Sequence, residues 1–346
     1  MAHAHPGGVA DLSVGTPVDP TPAVAQEALA AAANAPGYPA VAGLPEVHRA
    51  ASRWLARSLN VHLADPATVL PTIGSKELVA LLPTLLGLGA EDRVVIPTLA
   101  YPTYDVGARF AGCEVVASDD PADIAGAALV WINSPSNPTG AIADVDWLRE
   151  MVGAARATGA LVASDECYAE FGWEGRTVSA LHDSVSDGSS EGIISLHSLS
   201  KRSAMAGYRF GFVTGDPAVV ATLLEVRKHL GFMVPRPVQE AAIAALDDHT
   251  HVEHQRSLYA RRRARLRPAL EAAGFRIDHS EAGLYLWATR DEPCWDTVAD
   301  LAERGVLVTP GDFYGPLGGR HVRVALTATD EAIELAAARV DRRLNQ

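Results

Sequence analysis

The stretch ALVWINSPSNPTG, residues 128–140, decides the fold. Residues 128–132 are apolar without interruption, the pattern of a strand covered on both faces. Two prolines and a glycine then force a turn at the strand's carboxyl end. In an open α/β sheet that end is where ligands bind. The turn chemistry accounts for the prolines and the glycine but leaves the choice of Asn137 unexplained.

Working outward, the same pattern recurs. Short apolar runs at 93–96, 114–117, 161–163 and 193–196 read as strands, and 208–213 reads as one more. Helical patterns at 78–86 and 145–156 lie between them. Strands alternating with helices predict a mostly parallel central sheet with helices on both faces. The last third differs. Residues 237–246, 254–273 and 331–343 read as helices beside short strands at 275–278, 284–287 and 322–326, which predicts a smaller α+β domain. The expected organisation is an N-terminal segment (1–33) packing with the small domain, a large domain (34–240) and a small C-terminal domain (241–346).

Composition bounds the function. With 346 residues the chain exceeds the size at which one hydrophobic core stops growing. A net charge of −13 argues against general nucleic-acid binding, which needs a positive footprint. No apolar run approaches the ~18 residues of a membrane span, and residues 1–11 lack a signal-peptide pattern. Cys113, Cys167 and Cys294 lie far apart and form no CxxC pair, so a reducing cytoplasmic setting is expected. Of 29 basic residues only Lys76, Lys201 and Lys228 are lysine, so an amine nucleophile has three candidates.

Four segments carry polar residues suited to chemistry. Pro71-Thr-Ile-Gly-Ser-Lys-Glu77 precedes an apolar helix, where the amides of Ser75 and Lys76 favour an anion; read alone, it is a helix cap. The 134–140 turn supplies Asn137. Ala163-Ser-Asp-Glu-Cys-Tyr168 sets Asp165 after a strand, where a capping role serves equally well. Ser198-Leu-Ser-Lys201 follows the 193–196 strand, with Arg209 eight residues beyond Lys201. A buried lysine beside cations has a lowered pKa and a reactive neutral amine, and an arginine fork suits phosphate.

Together these segments resemble the fold-type I aminotransferases, which use pyridoxal phosphate. The resemblance runs from about residue 14 to residue 323. The stretches DLSVGTPVD (11–19), SLSKRSAMAGY (198–208) and RKHLGFMVPRPVQ (227–239) look most like actinobacterial N-succinyldiaminopimelate aminotransferases. The resemblance implies that Lys201 forms the Schiff base and shuttles the proton. It implies that Asp165 bonds the pyridine nitrogen, and that Asn137 and Tyr168 bond the phenolic oxygen. Tyr101 would stack on the ring, and Ser75, Lys76, Ser198 and Arg209 would hold the phosphate. Arg323 would clamp the substrate α-carboxylate, with the Gly15 backbone beside it. Tyr38 would reach the phosphate of a neighbouring subunit, which implies a homodimer with shared sites. Only 13 residues precede Val14, fewer than the family usually carries there.

The implied reaction moves an amino group from glutamate to a keto acid, here N-succinyl-2-amino-6-oxopimelate, in lysine and diaminopimelate biosynthesis. Arg236 and Lys228 are the expected contacts for its distal carboxylates. Aminotransferases for aspartate, alanine or aromatic acids, and carbon–sulfur lyases, share nearly all these residues. Other classes fit less well. Ser198-x-x-Lys201 matches a penicillin-binding motif, but its Ser-Asp-Asn and Lys-Thr-Gly partners do not occur. His249, His251 and His254 cluster, yet only the last two share helical spacing, so no metal is expected.

Overall fold

The structure is a computed structural model that describes residues 5–341. Strand β1 (Ala10–Asp11) belongs to the smaller part of the molecule. Strands β2 (Leu70–Ile73), β3 (Arg93–Ile96), β4 (Glu114–Ala117), β5 (Ala127–Asn133), β6 (Leu161–Asp165), β7 (Ile193–Ser198) and β8 (Phe210–Gly215) form one seven-stranded sheet. Its order is β2-β8-β7-β6-β5-β3-β4. Only β8 opposes its neighbours, pairing antiparallel with both β2 and β7.

The strands read as continuous apolar runs because both faces are covered. Alternate residues serve opposite layers: in β5, Val130 and Ile132 enter one core, while Leu129 and Trp131 enter the other. The helix Val145–Thr158 is capped by the Asp144 carboxylate and stopped by Gly159 at φ 76.

Strand β2 was not anticipated. Pro71 lacks an N–H and argues against a central strand, but β2 lies at the sheet edge, where that lack is tolerated. The reversal of β8 also has a consequence for the site. Its amino end lies at the carboxyl edge of its parallel neighbours, so Arg209, just before Phe210, arrives on the same edge as Asp165 and Ser198.

The smaller part holds β9 (Arg276–Asp278), β10 (Tyr285–Thr289), β11 (Val306–Leu307), β12 (Thr309–Pro310) and β13 (His321–Ala325). Four of them form an antiparallel sheet, β12-β13-β10-β9, while β11 pairs in parallel with β1. Ala10 and Leu12 are buried in this core. The N-terminal segment is nevertheless divided: Ala25, on helix Ala23–Ala31, joins the large-sheet core together with Ala241, Ala242 and Leu246. The helix Arg236–Asp247 thus packs as one piece with the large sheet, past the expected division at 240/241. The closing helix spans Asp330–Val340; residues 342 and 343 of the expected helix lie outside the described residues. No helix among the described residues is long and apolar enough to cross a membrane.

Candidate active site

The carboxyl ends of the parallel strands open into a cavity of about 380 Å³. It is lined by Gly15, Ser75, Lys76, Tyr101, Asn137, Asp165, Tyr168, Ser198, Lys201, Arg209 and Arg323, eleven of the twelve residues expected at the site. The twelfth, Tyr38, is 98% exposed and lies apart. Arg236 and Lys228 do not line the cavity either. Lys228 bonds Glu225 at 2.6 Å on the surface, and Arg236 lies 3.5 Å from Glu240 in a groove beside Ala28 and Asn34. Within this chain their expected role is therefore corrected: both belong to helices whose exposed faces carry them away from the cavity.

Asp165 ends β6 and is buried. Its Oδ2 accepts from the Tyr104 hydroxyl at 2.8 Å, and its Oδ1 from the Cys167 amide at 3.2 Å. Burial raises the pKa of this carboxyl, and these hydrogen bonds oppose the rise. The 134–140 turn is shaped by Asn133, whose Oδ1 accepts from the Asn137 amide at 2.7 Å and whose Nδ2 donates to the Asp165 carbonyl at 2.9 Å. Both Ser134-Pro135 and Asn137-Pro138 are cis.

Lys201 sits on the short helix Leu199–Arg202, which Ser198 caps through its hydroxyl. Its Nζ donates to the Gly15 carbonyl. Burial pushes the Lys201 ammonium below its ordinary pKa, and the charges of Arg323 and Arg209 add to the effect. Ser75 opens helix Ser75–Leu85 after Gly74, at φ 71. A Cβ on Gly74 would strike the Arg209 guanidinium, and one on Gly211 would come within 2.9 Å of the Ser75 amide. Glycine at both positions therefore leaves room where an anion would meet the helix N-terminus.

Arg323 comes from β13 and is 7% exposed. Nη1 donates to Asn137 Oδ1 at 2.8 Å, Nη2 donates to the Ser13 carbonyl at 2.9 Å, and Nε is buried without a partner. The guanidinium lies 4.0 Å from the Tyr285 ring centroid and 5.1 Å from that of Tyr314.

The electrostatics are lopsided. Lys76, Lys201, Arg209 and Arg323 line the cavity against a single carboxylate, Asp165. The contacts these four cations make are with backbone carbonyls, the Asn137 amide and aromatic rings: those of Tyr285 and Tyr314 for Arg323, and that of Tyr101 5.9 Å from Lys76 Nζ. A protein of net charge −13 thus concentrates unpaired positive charge in one cleft, an arrangement that favours an anionic ligand.

Sequence reasoning left several lining residues without roles. Tyr104 was given none; it bonds Asp165 and stacks on Trp131 at 4.8 Å. Cys167 donates through its thiol to Ser75 Oγ at 3.3 Å. Tyr285 is separated from Tyr168, its hydrogen-bond partner, by 117 residues, and no local pattern marks it. Of the histidines, His251 is held by Asp248 at 2.8 Å and by Ser203 at 2.9 Å. No group of three or more side chains suited to a metal occurs among the described residues.

Comparison with known proteins bears on this geometry. Residues 8–340 match the family model for aminotransferase class I and II. The chain is 58% identical over 342 residues to a probable aminotransferase of Mycobacterium tuberculosis, covering 98% of this chain and 82% of that protein. It is 54% identical over 341 residues to the 4-dedimethylamino-4-oxo-anhydrotetracycline transaminase of Streptomyces rimosus, covering 98% and 95%. Among solved structures, the probable N-succinyldiaminopimelate aminotransferase of Thermus thermophilus superposes with a TM-score of 0.86 at 31% identity, covering 96% of this chain and 94% of that one. The mostly parallel sheet with its smaller antiparallel partner is the fold-type I architecture, and the chain belongs to the class I and II aminotransferases.

Proposed function

We propose that this chain is a pyridoxal phosphate-dependent aminotransferase that passes the amino group of glutamate to N-succinyl-2-amino-6-oxopimelate, working as a cytoplasmic homodimer. The observation that carries the cofactor reading is the cluster of unpaired cations around Lys201 and the buried Asp165 in one cavity. The residues fit the cofactor. Ser75, Lys76, Ser198 and Arg209 surround space that two glycines keep open, suited to a phosphate dianion. Asp165 is a buried acceptor suited to a protonated ring nitrogen, and Asn137 and Tyr168 offer partners for the phenolic oxygen. When bound, pyridoxal phosphate supplies an aldehyde that takes up the amino group and a ring that withdraws electrons.

The chain's own residues do the rest. A carboxylate at Asp165 holds a proton on the facing nitrogen, steadied by Tyr104 and the Cys167 amide. Lys201, whose burial lowers its pKa and so favours the neutral amine, is the base placed to take a proton from the substrate α-carbon and return it elsewhere. Arg323 offers its remaining donors to the α-carboxylate. Gly15 keeps the neighbouring wall free of a side chain. Tyr38 is almost wholly exposed, so it is free to extend toward a partner subunit, whose phosphate it would meet in the proposed homodimer.

The acceptor rests on the stretches that resemble N-succinyldiaminopimelate aminotransferases and on the Thermus likeness. A second acceptor is favoured by the Streptomyces relative, whose name specifies an oxo-anhydrotetracycline, a ring ketone. The test is an absorbance spectrum after incubation with pyridoxal phosphate. A visible band that bleaches with glutamate, and is missing in Lys201→Ala, is expected. Recovery of the band with the acyclic keto acid supports the first acceptor, and recovery only with a ring ketone supports the second. A protein that stays colourless overturns the cofactor assignment.

A further inference from the structure

Tyr285 occupies a position that no part of the catalytic scheme above uses. It begins β10 and is buried. In the antiparallel register Tyr285 pairs with Ala325 and Trp287 with Arg323, so Tyr285 and Arg323 are diagonal neighbours on one face of the sheet. The Arg323 guanidinium lies over the Tyr285 ring at 4.0 Å from the centroid, close for a cation on an aromatic face. The Tyr285 hydroxyl lies 3.0 Å from that of Tyr168. It also fills the space beside Gly15, since a Cβ there would collide with it, and the Gly15 carbonyl accepts from Lys201.

We propose that Tyr285 is a positioning residue with two separable parts: its ring orients Arg323 toward the ligand carboxylate, and its hydroxyl, bonded to that of Tyr168, sets the environment of Lys201 across Gly15. The proposal takes its ligand from the aminotransferase reading and adds a residue which that reading does not use. The ring acts through shape and quadrupole, which any phenyl group supplies. The hydroxyl acts through charge. Burial works against ionisation of Tyr285, but the charges of Arg323 and Lys201 and the hydrogen bond with Tyr168 together outweigh it, holding the phenol below its ordinary pKa. A hydroxyl so polarised favours the ammonium form of Lys201, and its Coulombic effect on Lys201 is in that direction. Phenylalanine at 285 removes the second part and keeps the first, whereas leucine removes both.

The experiment uses cofactor-free protein, so that failure of the cofactor assignment and failure of this proposal stay distinguishable. Succinate binding is measured by calorimetry for wild type, Tyr285→Phe and Tyr285→Leu. The titration of Lys201 is followed by carbon NMR after reductive methylation. With three lysines in the chain the spectrum is sparse, and Lys201→Arg assigns the signal. Tyr285→Phe is expected to bind succinate within about twofold of wild type while the Lys201 titration moves to lower pH. Tyr285→Leu is expected to bind about tenfold more weakly. If Tyr285→Leu does not fold, Tyr285→Met serves in its place. Equal succinate affinity in all variants overturns the ring's role. An unmoved Lys201 titration in Tyr285→Phe overturns the hydroxyl's role. A loss in Tyr285→Phe as large as in the leucine variant overturns the separation of the two.

Discussion

Replacing Arg323 with lysine keeps the charge and removes the fork. A guanidinium has five N–H donors. Here Asn137 Oδ1 and the Ser13 carbonyl take one each, which leaves three for a ligand, including the buried Nε–H. An ammonium has three donors; if it kept the same two partners, one would remain. The ligand carboxylate therefore passes from two charge-assisted hydrogen bonds to one. Such a bond contributes roughly 1.5–3 kcal/mol, so kcat/KM for glutamate should fall about 10- to 160-fold. The assay is the rate of bleaching of the visible band with glutamate under single-turnover conditions. A primary amine without a carboxylate is run beside it as a control, and a melting curve reports on the fold. The amine should react nearly equally with both proteins. A glutamate rate within threefold of wild type, or an equal loss for the amine, would refute the assignment of Arg323 to the carboxylate.

Two further predictions concern stability. Arg227 is fully buried and bonds Glu77 through both terminal nitrogens, at 2.6 and 3.0 Å; Arg227→Ala should cost roughly 3–5 kcal/mol in denaturant unfolding by stranding a carboxylate, and adding Glu77→Gln should recover part of it. Burial pushes the Glu166 carboxyl up to about 7 from an ordinary 4.5, and the His197 imidazole down to about 3 from 6.5. The stability tied to protonated Glu166 is complete below pH 4.5 and is lost as pH rises through 7. The stability tied to neutral His197 is complete above pH 6.5 and is lost as pH falls toward 3. Between pH 4.5 and 6.5 the two slopes oppose each other, so Glu166→Gln should uncover a loss of about 1.4 kcal/mol per pH unit on acidification relative to wild type. Parallel stability curves for the two proteins would end that account.

The sequence marked the site where chemistry and local pattern coincide. Asn137, Asp165, Ser198 and Lys201 each follow an apolar strand within a few residues, so topology alone brings them to one edge. Lys76 and Arg209 depended on the direction of β2 and β8, which hydrophobic runs do not encode; the edge place of β2 and the reversal of β8 were visible only in the pairing. Tyr104 and Tyr285 escaped because an aromatic residue in an apolar setting is, by pattern, a core residue. Their hydroxyls acquire meaning only from distant partners, Asp165 in one case and Tyr168 in the other. The N-terminal segment was expected to pack with the small domain, and Ala10 and Leu12 do. Ala25 does not, because its helix faces the helix Arg236–Asp247 in the other core.

The segment from Ser13 to Gly15 serves the site with backbone, not side chains. The Ser13 carbonyl accepts from Arg323 and Thr309, that of Val14 from Thr327, and that of Gly15 from Lys201. These partners lie 186 to 313 residues away along the chain. On a ribosome the segment emerges long before Lys201, Thr309, Arg323 and Thr327. The pocket therefore has no complete wall until synthesis has passed residue 327, and the nascent large domain must wait with its anion-binding edge open. Contacts of such span are slow to form, and an unfinished chain exposes them to wrong partners. The cell makes every residue that would hold the phosphate before it makes the arginine that would hold the substrate.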